Sequence, residues 1–304
     1  MAEGSNDGRG AGGIDAEVAS QPDCWRRAAG LAAEVAQLLP GKGERAAVVG
    51  CGTSWYIAQS YAAAREAAGH GETDAFAASE MPAGRRYEAV LVLCRSGTTT
   101  EIVDLLDRLR GVAPTVVITA VPDGPVGTAA DAVIALEFAD EESVVQTRFA
   151  TTELALLRAH LGQDIEPAAA DAERILAEPL AGQLTSASQL TFLGTGWTYG
   201  LALEAALKLR EAAGMWTEAY PAMEYRHGPI AVTGPGSVVW LFGTVPDGLA
   251  AEIAEAGGTA WSGHADPMAE LVRVHRLAAY AARARGLDPD RPRHLTRSVI
   301  LAQR

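Results

Sequence analysis

The sequence is poor in cysteine and has no long apolar run. Its three cysteines, Cys24, Cys51 and Cys94, are scattered without a Cys-x-x-Cys pair, which argues against a disulfide framework or a zinc site. No stretch of about 20 uninterrupted apolar residues occurs, which argues against a membrane-spanning helix. The start, MAEGSNDGRGAGG, has no apolar core and predicts a disordered tail over residues 1–13 rather than a signal peptide. We therefore expect a cytosolic protein without a bound metal.

The chain is also short of positive charge. It has 25 Lys and Arg against 38 Asp and Glu, a formal net charge of −13, and so we expect neither nucleic acid nor an anionic membrane as a partner. A small phosphorylated ligand needs only a local basic patch. From Arg273 to the C-terminus there are eight arginines against two aspartates, Asp288 and Asp290. This stretch is equally well interpreted as a solvated helix face and tail.

What the sequence does have is an alternation of apolar strands and amphipathic helices. The runs Ala89–Leu93 and Thr115–Thr119 are continuous and rich in β-branched residues, which is typical of parallel strands buried on both faces. The alternation predicts βαβ units and an α/β fold. The predicted strands are 45–49, 89–93, 115–119, 132–136, 189–193, 237–242 and 259–261. The main predicted helices are 14–39 (broken at Pro22), 55–68, 98–110, 143–161 and 167–185.

One five-residue word, REAAG, occurs twice, at Arg65–Gly69 and at Arg210–Gly214. Each copy ends an amphipathic helix that follows an apolar run and a Gly-x-Gly turn. A chain of 304 residues is long enough for two units of about 150 residues each. The repeat therefore predicts two tandem units, residues 14–166 and 167–304, each with a parallel, doubly wound, flavodoxin-like sheet flanked by helices.

Neither Gly-x-Gly turn fits a dinucleotide-binding fingerprint, because the required third small residue is replaced by Trp55 in one copy and Tyr199 in the other. We therefore expect no nucleotide cofactor. The turn Ser96–Thr100 instead carries four hydroxyls in five positions before a helix. Free backbone N–H groups, hydroxyl donors and a helix dipole suit a phosphate monoester. The alternative is a plain helix N-cap, although a cap needs only one hydroxyl.

The equivalent loop of the second half, Thr244–Asp247, offers little to an anion and carries a carboxylate. A different segment of that half suggests chemistry. Glu204, Lys208 and Glu211 fall at i, i+4 and i+7, on one helix face. Lys208 is one of only two lysines in the chain, and a lysine here indicates a small, titratable cation.

Downstream of this helix face, Glu224 and His227 precede a Gly-Pro turn. A carboxylate and a histidine make a workable acid–base pair for moving protons on a sugar. The alternative is an ordinary surface Glu/Lys pair and a structural histidine.

Together these segments resemble the SIS (sugar isomerase) domain family. The similarity is greatest to tandem-SIS enzymes such as the isomerase half of glucosamine-6-phosphate synthase and related aldose–ketose isomerases and deaminases. It spans about Gln21 to Arg304, in the family's order. The matching segments are GCGTS (50–54), CRSGTTTE (94–101), SVVQTRFATT (143–152), the run from 202 to 232 and DRPRHLTRSV (290–299).

The resemblance implies a site for a sugar phosphate in the first half. Ser96, Thr98 and Thr99 would bind the phosphate, and Thr53 and Ser54 would lie near the sugar hydroxyls. The backbone around Val144 and Gln146 would line the same pocket.

For the second half, the resemblance implies that Glu211 shuttles a proton between C1 and C2 of the open-chain sugar. Lys208 would support it, and His227 would open the sugar ring, lent by the second subunit of a homodimer. No glutaminase domain precedes these segments in the sequence, so we do not expect glutamine-fed synthesis.

Three residues depart from the family's pattern. Cys94 and Arg95 replace the usual Ser and Gln of the phosphate loop. In addition, Arg297 stands where the synthase has a lysine that forms a Schiff base, which a guanidinium cannot do. Arg297 could still bind the phosphate or a carbonyl oxygen, and imine chemistry would fall to Lys208 or be absent.

Proton abstraction at C2 gives an enediol with several outcomes. We predict an amino-sugar-phosphate isomerase or deaminase. Because the Schiff-base lysine is missing, the alternative is a lyase that eliminates water across C2–C3 of an N-acetylhexosamine 6-phosphate. A non-enzymatic sugar-phosphate-binding regulator is the third possibility, which the presence of both Glu211 and His227 disfavours.

Overall fold

Two parallel β-sheets, one in each half of the chain, form the frame of the molecule. The computed structural model describes residues 13–302, so the predicted disordered tail lies, apart from Gly13, outside the described residues. The first sheet contains β1 (Ala46–Gly50), β2 (Thr73–Ala77), β3 (Ala89–Leu93), β4 (Thr115–Thr119) and β5 (Ala132–Ala135). The second contains β6 (Gln189–Gly194), β7 (Thr217–Pro221), β8 (Ser237–Phe242) and β9 (Thr259–Ser262).

Strand order and direction confirm the α/β prediction with tandem flavodoxin-like units. The first sheet has the order β2-β1-β3-β4-β5, and the second has β7-β6-β8-β9. Every neighbouring pair is parallel. In such sheets the strand order reverses between the first and third strands, and ligands bind at the carboxyl ends of those two strands.

The helices flank both sheets. They are α1 (Ile14–Ala19), α2 (Gln21–Val35), α3 (Thr53–Ala67), α4 (Thr100–Leu109), α5 (Pro125–Ala129), α6 (Arg148–His160), α7 (Glu166–Ala177), α8 (Gly182–Thr185), α9 (Thr198–Ala213), α10 (Leu249–Glu255) and α11 (Pro267–Ala284). Short 3₁₀ turns lie at 36–38, 78–80, 137–139, 224–227 and 229–232. Within residues 13–302, none of the helices has the length and apolar character needed to cross a bilayer.

Two strands escaped the sequence prediction. β2 and β7 are edge strands, and most of their residues are only partly buried. Their sequences, TDAFA and TEAYP, lack the continuous β-branched runs of the central strands. An edge strand packs against one neighbour only, so it does not need such a run.

Two predicted helices were too long. The helix expected over 143–161 begins only at Arg148, because residues 143–147 form a loop. The helix expected over 167–185 is two helices, since α7 ends at Ala177 and α8 starts at Gly182. Pro179 explains the break: a residue before proline avoids the α conformation, and Glu178 is extended, with ψ 145°.

The two REAAG-bearing helices, α3 and α9, pack against each other and join the halves. They cross at Gly200, where an added Cβ would lie 2.2 Å from Ser60 Oγ and 2.3 Å from the Tyr56 carbonyl oxygen. Only glycine allows this approach. The predicted unit boundary at 166/167 falls between the two sheets, while one hydrophobic core containing Trp25, Phe149 and Phe192 extends through both halves.

Candidate active site

The carboxyl ends of β1 and β3 carry the first group of predicted site residues. At the end of β1, a Cβ on Gly50 would lie 2.4 Å from the carbonyl carbon of Ser54, so glycine is needed for α3 to start directly beside the strand. This places Thr53 and Ser54 at the first turn of α3. At the end of β3, Gly97 has a positive φ of 67° and lies close to the Val121 carbonyl oxygen. Both turns thus lie where the strand order reverses.

Five of the predicted substrate residues line one small cavity of about 40 Å³. It lies between the ends of β1 and β3, the loop before α6 and the C-terminal segment. Thr98 does not line it; its backbone N–H donates to Ser96 Oγ over 3.4 Å. The five residues are Ser54, Ser96, Thr99, Gln146 and Arg297.

The C-terminal segment, which follows α11, is hydrogen-bonded to hydroxyls that line this cavity. Ser96 Oγ donates to Ser298 Oγ at 3.1 Å, and Ser298 Oγ is 3.3 Å from Thr99 Oγ1. At the start of α4, the Thr100 N–H donates to the Val299 carbonyl oxygen at 3.2 Å. No sequence pattern indicates a role for Ser298, because its contacts depend on the C-terminal segment folding back over the turn after β3.

Arg95 connects the turn after β3 to its surroundings. Its buried guanidinium donates to the carbonyl oxygens of Ser143 at 3.0 Å and Val144 at 3.1 Å, and lies 3.5 Å from a Glu141 carboxylate oxygen. The Val144 N–H donates to the Asp290 carbonyl oxygen. The backbone of Val144 is therefore already hydrogen-bonded within the chain.

Glu141 fixes the loop before α6. Its carboxylate, fully buried, accepts from the backbone N–H of Thr147 and of Arg148, each at 2.7 Å. These donors begin α6, where a carboxylate is favourable. The loop so held places Gln146 at the cavity, with a buried Oε1 that has no hydrogen-bond partner within residues 13–302. Among the described residues, this oxygen is therefore an unpaired acceptor at the cavity.

Arg297 lines the cavity, but its guanidinium is engaged. It donates to the Glu141 carbonyl oxygen and to the Asp140 carboxylate. Its own carbonyl oxygen accepts from Arg95 at 3.4 Å. In this arrangement Arg297 joins the C-terminal segment to the loop before α6.

The three residues predicted on one face of α9 form a buried charge cluster. Lys208 Nζ lies 2.5 Å from a Glu211 oxygen and 3.4 Å from a Glu204 oxygen, and it donates to Thr53 Oγ1 at 2.9 Å. The side chains of Glu204 and Lys208 are 0% and 1% exposed, whereas that of Glu211 is 21% exposed. Lys208 therefore connects the second half to the start of α3, one residue from the cavity residue Ser54.

Burial controls the protonation of this cluster. Burial raises the pKa of Glu204 to about 8, with Lys208 opposing and Glu211 adding to the rise. For Lys208, burial lowers the pKa, but the two carboxylates outweigh burial and the net direction is upward. Beneath them Glu153 is completely buried, and burial holds its pKa well above the ordinary value. The cluster thus pairs an ammonium whose pKa is raised with a Glu204 carboxyl whose pKa is raised by burial.

His227 is not brought to Glu211 within one chain. It ends the 3₁₀ turn Glu224–His227, and its exposed side chain makes no hydrogen bond or ion pair among residues 13–302. Glu211 lines a second cavity, of about 280 Å³, together with the C-terminal segment, and His227 is absent from that lining. No cluster of three or more metal-ligating side chains occurs in the described part of the chain.

Comparison with known sequences points to one family. Residues 183–255 match the family model of the SIS domain. The glutamine–fructose-6-phosphate aminotransferase (isomerizing) of Symbiobacterium thermophilum is 30% identical over 269 residues, covering 69% of this chain and 43% of the relative. The corresponding protein of Sulfurisphaera tokodaii is 25% identical over 298 residues, covering 85% and 50%. The chain spans about half the length of these curated relatives.

Solved structures share the fold over nearly the whole chain. Glucosamine-6-phosphate deaminase from Thermotoga maritima superposes with a TM-score of 0.78 at 23% identity, covering 95% of this chain and 100% of that one. Tagatose-6-phosphate ketose/aldose isomerase from Escherichia coli gives 0.72 at 19% identity, covering 91% and 95%. These similarities establish the tandem α/β architecture.

Proposed function

Because this chain belongs to the SIS domain family, we propose that it is an enzyme acting on an open-chain hexose or hexosamine 6-phosphate. The relatives' names mention fructose 6-phosphate, glucosamine 6-phosphate and tagatose 6-phosphate. The phosphate would bind at the turn after β3, where Thr99 is the N-cap of α4 and Ser96 lies three residues before it. Hydroxyl donors and a helix N-terminus are suited to a phosphate dianion.

The observation that carries the proposal is the contact of Lys208 Nζ with both Thr53 and Glu211. It puts a carboxylate and a charged ammonium next to the cavity that would hold the phosphate. Glu211 would take the proton from C2 of the open-chain sugar, because the neighbouring carbonyl acidifies that bond. Lys208 would stabilise the negative charge that develops on oxygen.

The bound phosphate needs the place that the C-terminal segment now takes. A cavity of about 40 Å³ is close to the liquid volume of a single water molecule, about 30 Å³. Ser298 Oγ is hydrogen-bonded to the Thr99 hydroxyl, and the Val299 carbonyl oxygen accepts from the Thr100 N–H. We infer that these two tail residues move aside when the phosphate binds, and that Gln146 and Ser54 then contact the ligand.

The reaction outcome that we favour is isomerisation or deamination of an amino-sugar phosphate. A second outcome, elimination of water across C2–C3 of an N-acetylhexosamine 6-phosphate, is favoured by one observation. Arg297 cannot form an imine, and its guanidinium is bound to Asp140 and Glu141. Elimination needs the same C2 carbanion but no imine, so Glu211 and Lys208 would suffice.

The test is a panel of hexose, hexosamine and N-acetylhexosamine 6-phosphates incubated with the protein in D₂O and followed by NMR. We expect solvent deuterium at C1 or C2 of at least one compound. A new ketose signal would identify the isomerase, ammonia release the deaminase, and an unsaturated sugar the lyase. A folded protein that exchanges no proton on any of these 6-phosphates would refute the proposal.

We also propose a homodimer with a shared site. His227 is exposed, and three large apolar side chains on the same stretch, Trp216, Met223 and Val232, are exposed by 84%, 52% and 58%. Such a patch suits a second copy of the chain. A partner's His227 could then approach Glu211 and open the sugar ring.

Subunit mixing tests this arrangement. Glu211→Gln and His227→Ala are each expected to be inactive alone, and their heterodimers should regain activity at one of the two sites. Mixing Glu211→Gln with a Glu211→Gln, His227→Ala double variant is the control and should give no recovery. Verified heterodimers of the first mixture that remain inactive would place both residues in one subunit's site.

A further inference from the structure

The basic C-terminal region separates, in the structure, into engaged and free arginines. Five of the seven described arginines from Arg273 onward are bound to carboxylates or carbonyl oxygens: Arg273, Arg276, Arg283, Arg285 and Arg297. Arg291 and Arg293 are exposed and make no hydrogen bond or ion pair within residues 13–302.

Both free arginines line the cavity of about 280 Å³ that also contains Glu211. Arg210 lines it too, and only its Nε is engaged, with the Ala206 carbonyl oxygen. The carboxylates on the lining are Glu211, which is 2.5 Å from Lys208, and Asp288. Three guanidiniums against one carboxylate that lacks a cationic partner leave this cavity positively charged, in a chain whose net charge is −13.

The same lining contains a backbone outlier. His294 has φ 66° and is the only non-glycine residue with a positive φ in the described part of the chain. Residues other than glycine pay for this conformation, and such positions concentrate at functional sites. His294 follows Arg293 and helps to direct the chain from this cavity to Arg297, which lines the cavity of about 40 Å³. One segment therefore passes along both cavities.

We propose that this cavity binds a second anionic group of the substrate, carried on the C2 nitrogen of the sugar. The inference rests on the proposed function: if Glu211 acts between C1 and C2, the cavity beside it receives the substituent of C2, while the phosphate lies at the other end. Planar guanidiniums match a carboxylate in two-point contacts. The substrate class is thus a hexosamine 6-phosphate whose N-acyl group ends in a carboxylate.

A matched pair of ligands isolates the charge. N-Succinylglucosamine 6-phosphate and its terminal amide have almost the same shape and differ by one negative charge. We expect calorimetry at 0.15 M salt to give at least about tenfold tighter binding for the succinyl compound, as expected for a charge-assisted pair. An Arg291→Gln, Arg293→Gln double variant should bind both compounds equally, with the affinity of the wild type for the amide.

Arg86 provides the control, since it is exposed and makes no hydrogen bond or ion pair in the described residues; Arg86→Gln should keep the tenfold ratio. Equal affinity of the wild type for the two compounds would overturn the inference, as would a ratio that survives in the folded double variant. If glucosamine 6-phosphate and the terminal amide both bind, either result leaves the proposed function standing. Failure of every 6-phosphate to bind would instead refute the proposed function.

Discussion

The two copies of REAAG have the same letters and different surroundings. In the first copy Arg65 is buried and donates to Thr73 Oγ1 at 2.7 Å and to the Gly71 carbonyl oxygen at 3.3 Å. Glu66 accepts from the Thr73 N–H at 2.8 Å. These contacts fix the turn between α3 and β2. The first copy is therefore part of the framework.

In the second copy the roles are exchanged. Arg210 is exposed and Glu211 bonds to Lys208. Counting back along each helix from the repeated word, Lys208 corresponds to Ala63 and Glu204 to Gln59. The residues at these two positions, one helical turn apart, thus decide whether the glutamate of the repeated word fixes a turn or joins a buried charge cluster.

The comparison also explains how the halves depend on each other. The hydroxyl-rich turn Ser96–Thr100 has no counterpart after β8, and Lys208 has no counterpart on α3. The contact of α3 and α9 at Gly200 brings Thr53 to Lys208. The two sheets share the central strand orders β2-β1-β3 and β7-β6-β8, but each half carries only one part of the proposed site.

The largest expected effect comes from replacing the glutamate of each REAAG copy, one at a time, by glutamine. Glu211→Gln keeps the size of the side chain but removes the proposed base, so turnover of the substrate found in the D₂O panel should fall by about 10²–10⁴-fold. Glu66→Gln, the same change in the same word, should leave turnover within about twofold, because it lies at a turn. Initial rates at saturating substrate are the measurement.

Affinity for the 6-phosphate separates loss of chemistry from loss of binding in these variants. Glu211→Gln should bind glucosamine 6-phosphate nearly as well as the wild type. Full turnover in Glu211→Gln, or an equal loss in Glu66→Gln, would mean that the difference between the two copies is not catalytic.

A smaller effect is expected from the turns after β3 and β8. Ser96→Ala removes a donor that would face a charged phosphate, which costs about 1.5–3 kcal/mol, or roughly 10–100-fold in affinity. Thr244→Ala, in the equivalent turn of the second half, should change nothing. Calorimetry with glucosamine 6-phosphate measures both. Unchanged affinity in Ser96→Ala would move the phosphate away from this turn.

The sequence predicted those parts of the molecule that local pattern determines. Continuous apolar runs located β3, β4 and β8 to the residue, and helical spacing placed Lys208 between two carboxylates. The edge strands β2 and β7 were missed because they carry no such run.

Contacts between distant segments could not be predicted. Ser298 meets Ser96 over 202 positions of chain, and Arg95 meets Glu141 across another loop. Neither pair leaves a local pattern. The free state of Arg291 and Arg293 likewise depends on where all the other carboxylates lie.

The smallest expected effect is on stability, and it comes from a substitution that makes α9 resemble α3. Glu204→Gln places on α9 the residue that α3 has at Gln59. Burial holds the pKa of Glu204 near 8, against an ordinary value of 4.5. Between these values the unfolded carboxyl is ionised while the folded one keeps its proton, so this group makes the wild type lose stability as pH rises from 4.5 to 8. The variant lacks this loss, and its advantage over the wild type should grow by about 1–3 kcal/mol from pH 5 to pH 8. This is below the limit of about 1.4 kcal/mol per pH unit, because relaxation around a buried charge reduces its cost. Urea unfolding at both pH values measures it, with the exposed Glu66→Gln as a control that should follow the wild type. Parallel pH profiles for Glu204→Gln and the wild type would show that Glu204 is ionised in the folded protein, and that Lys208 holds two carboxylates rather than one.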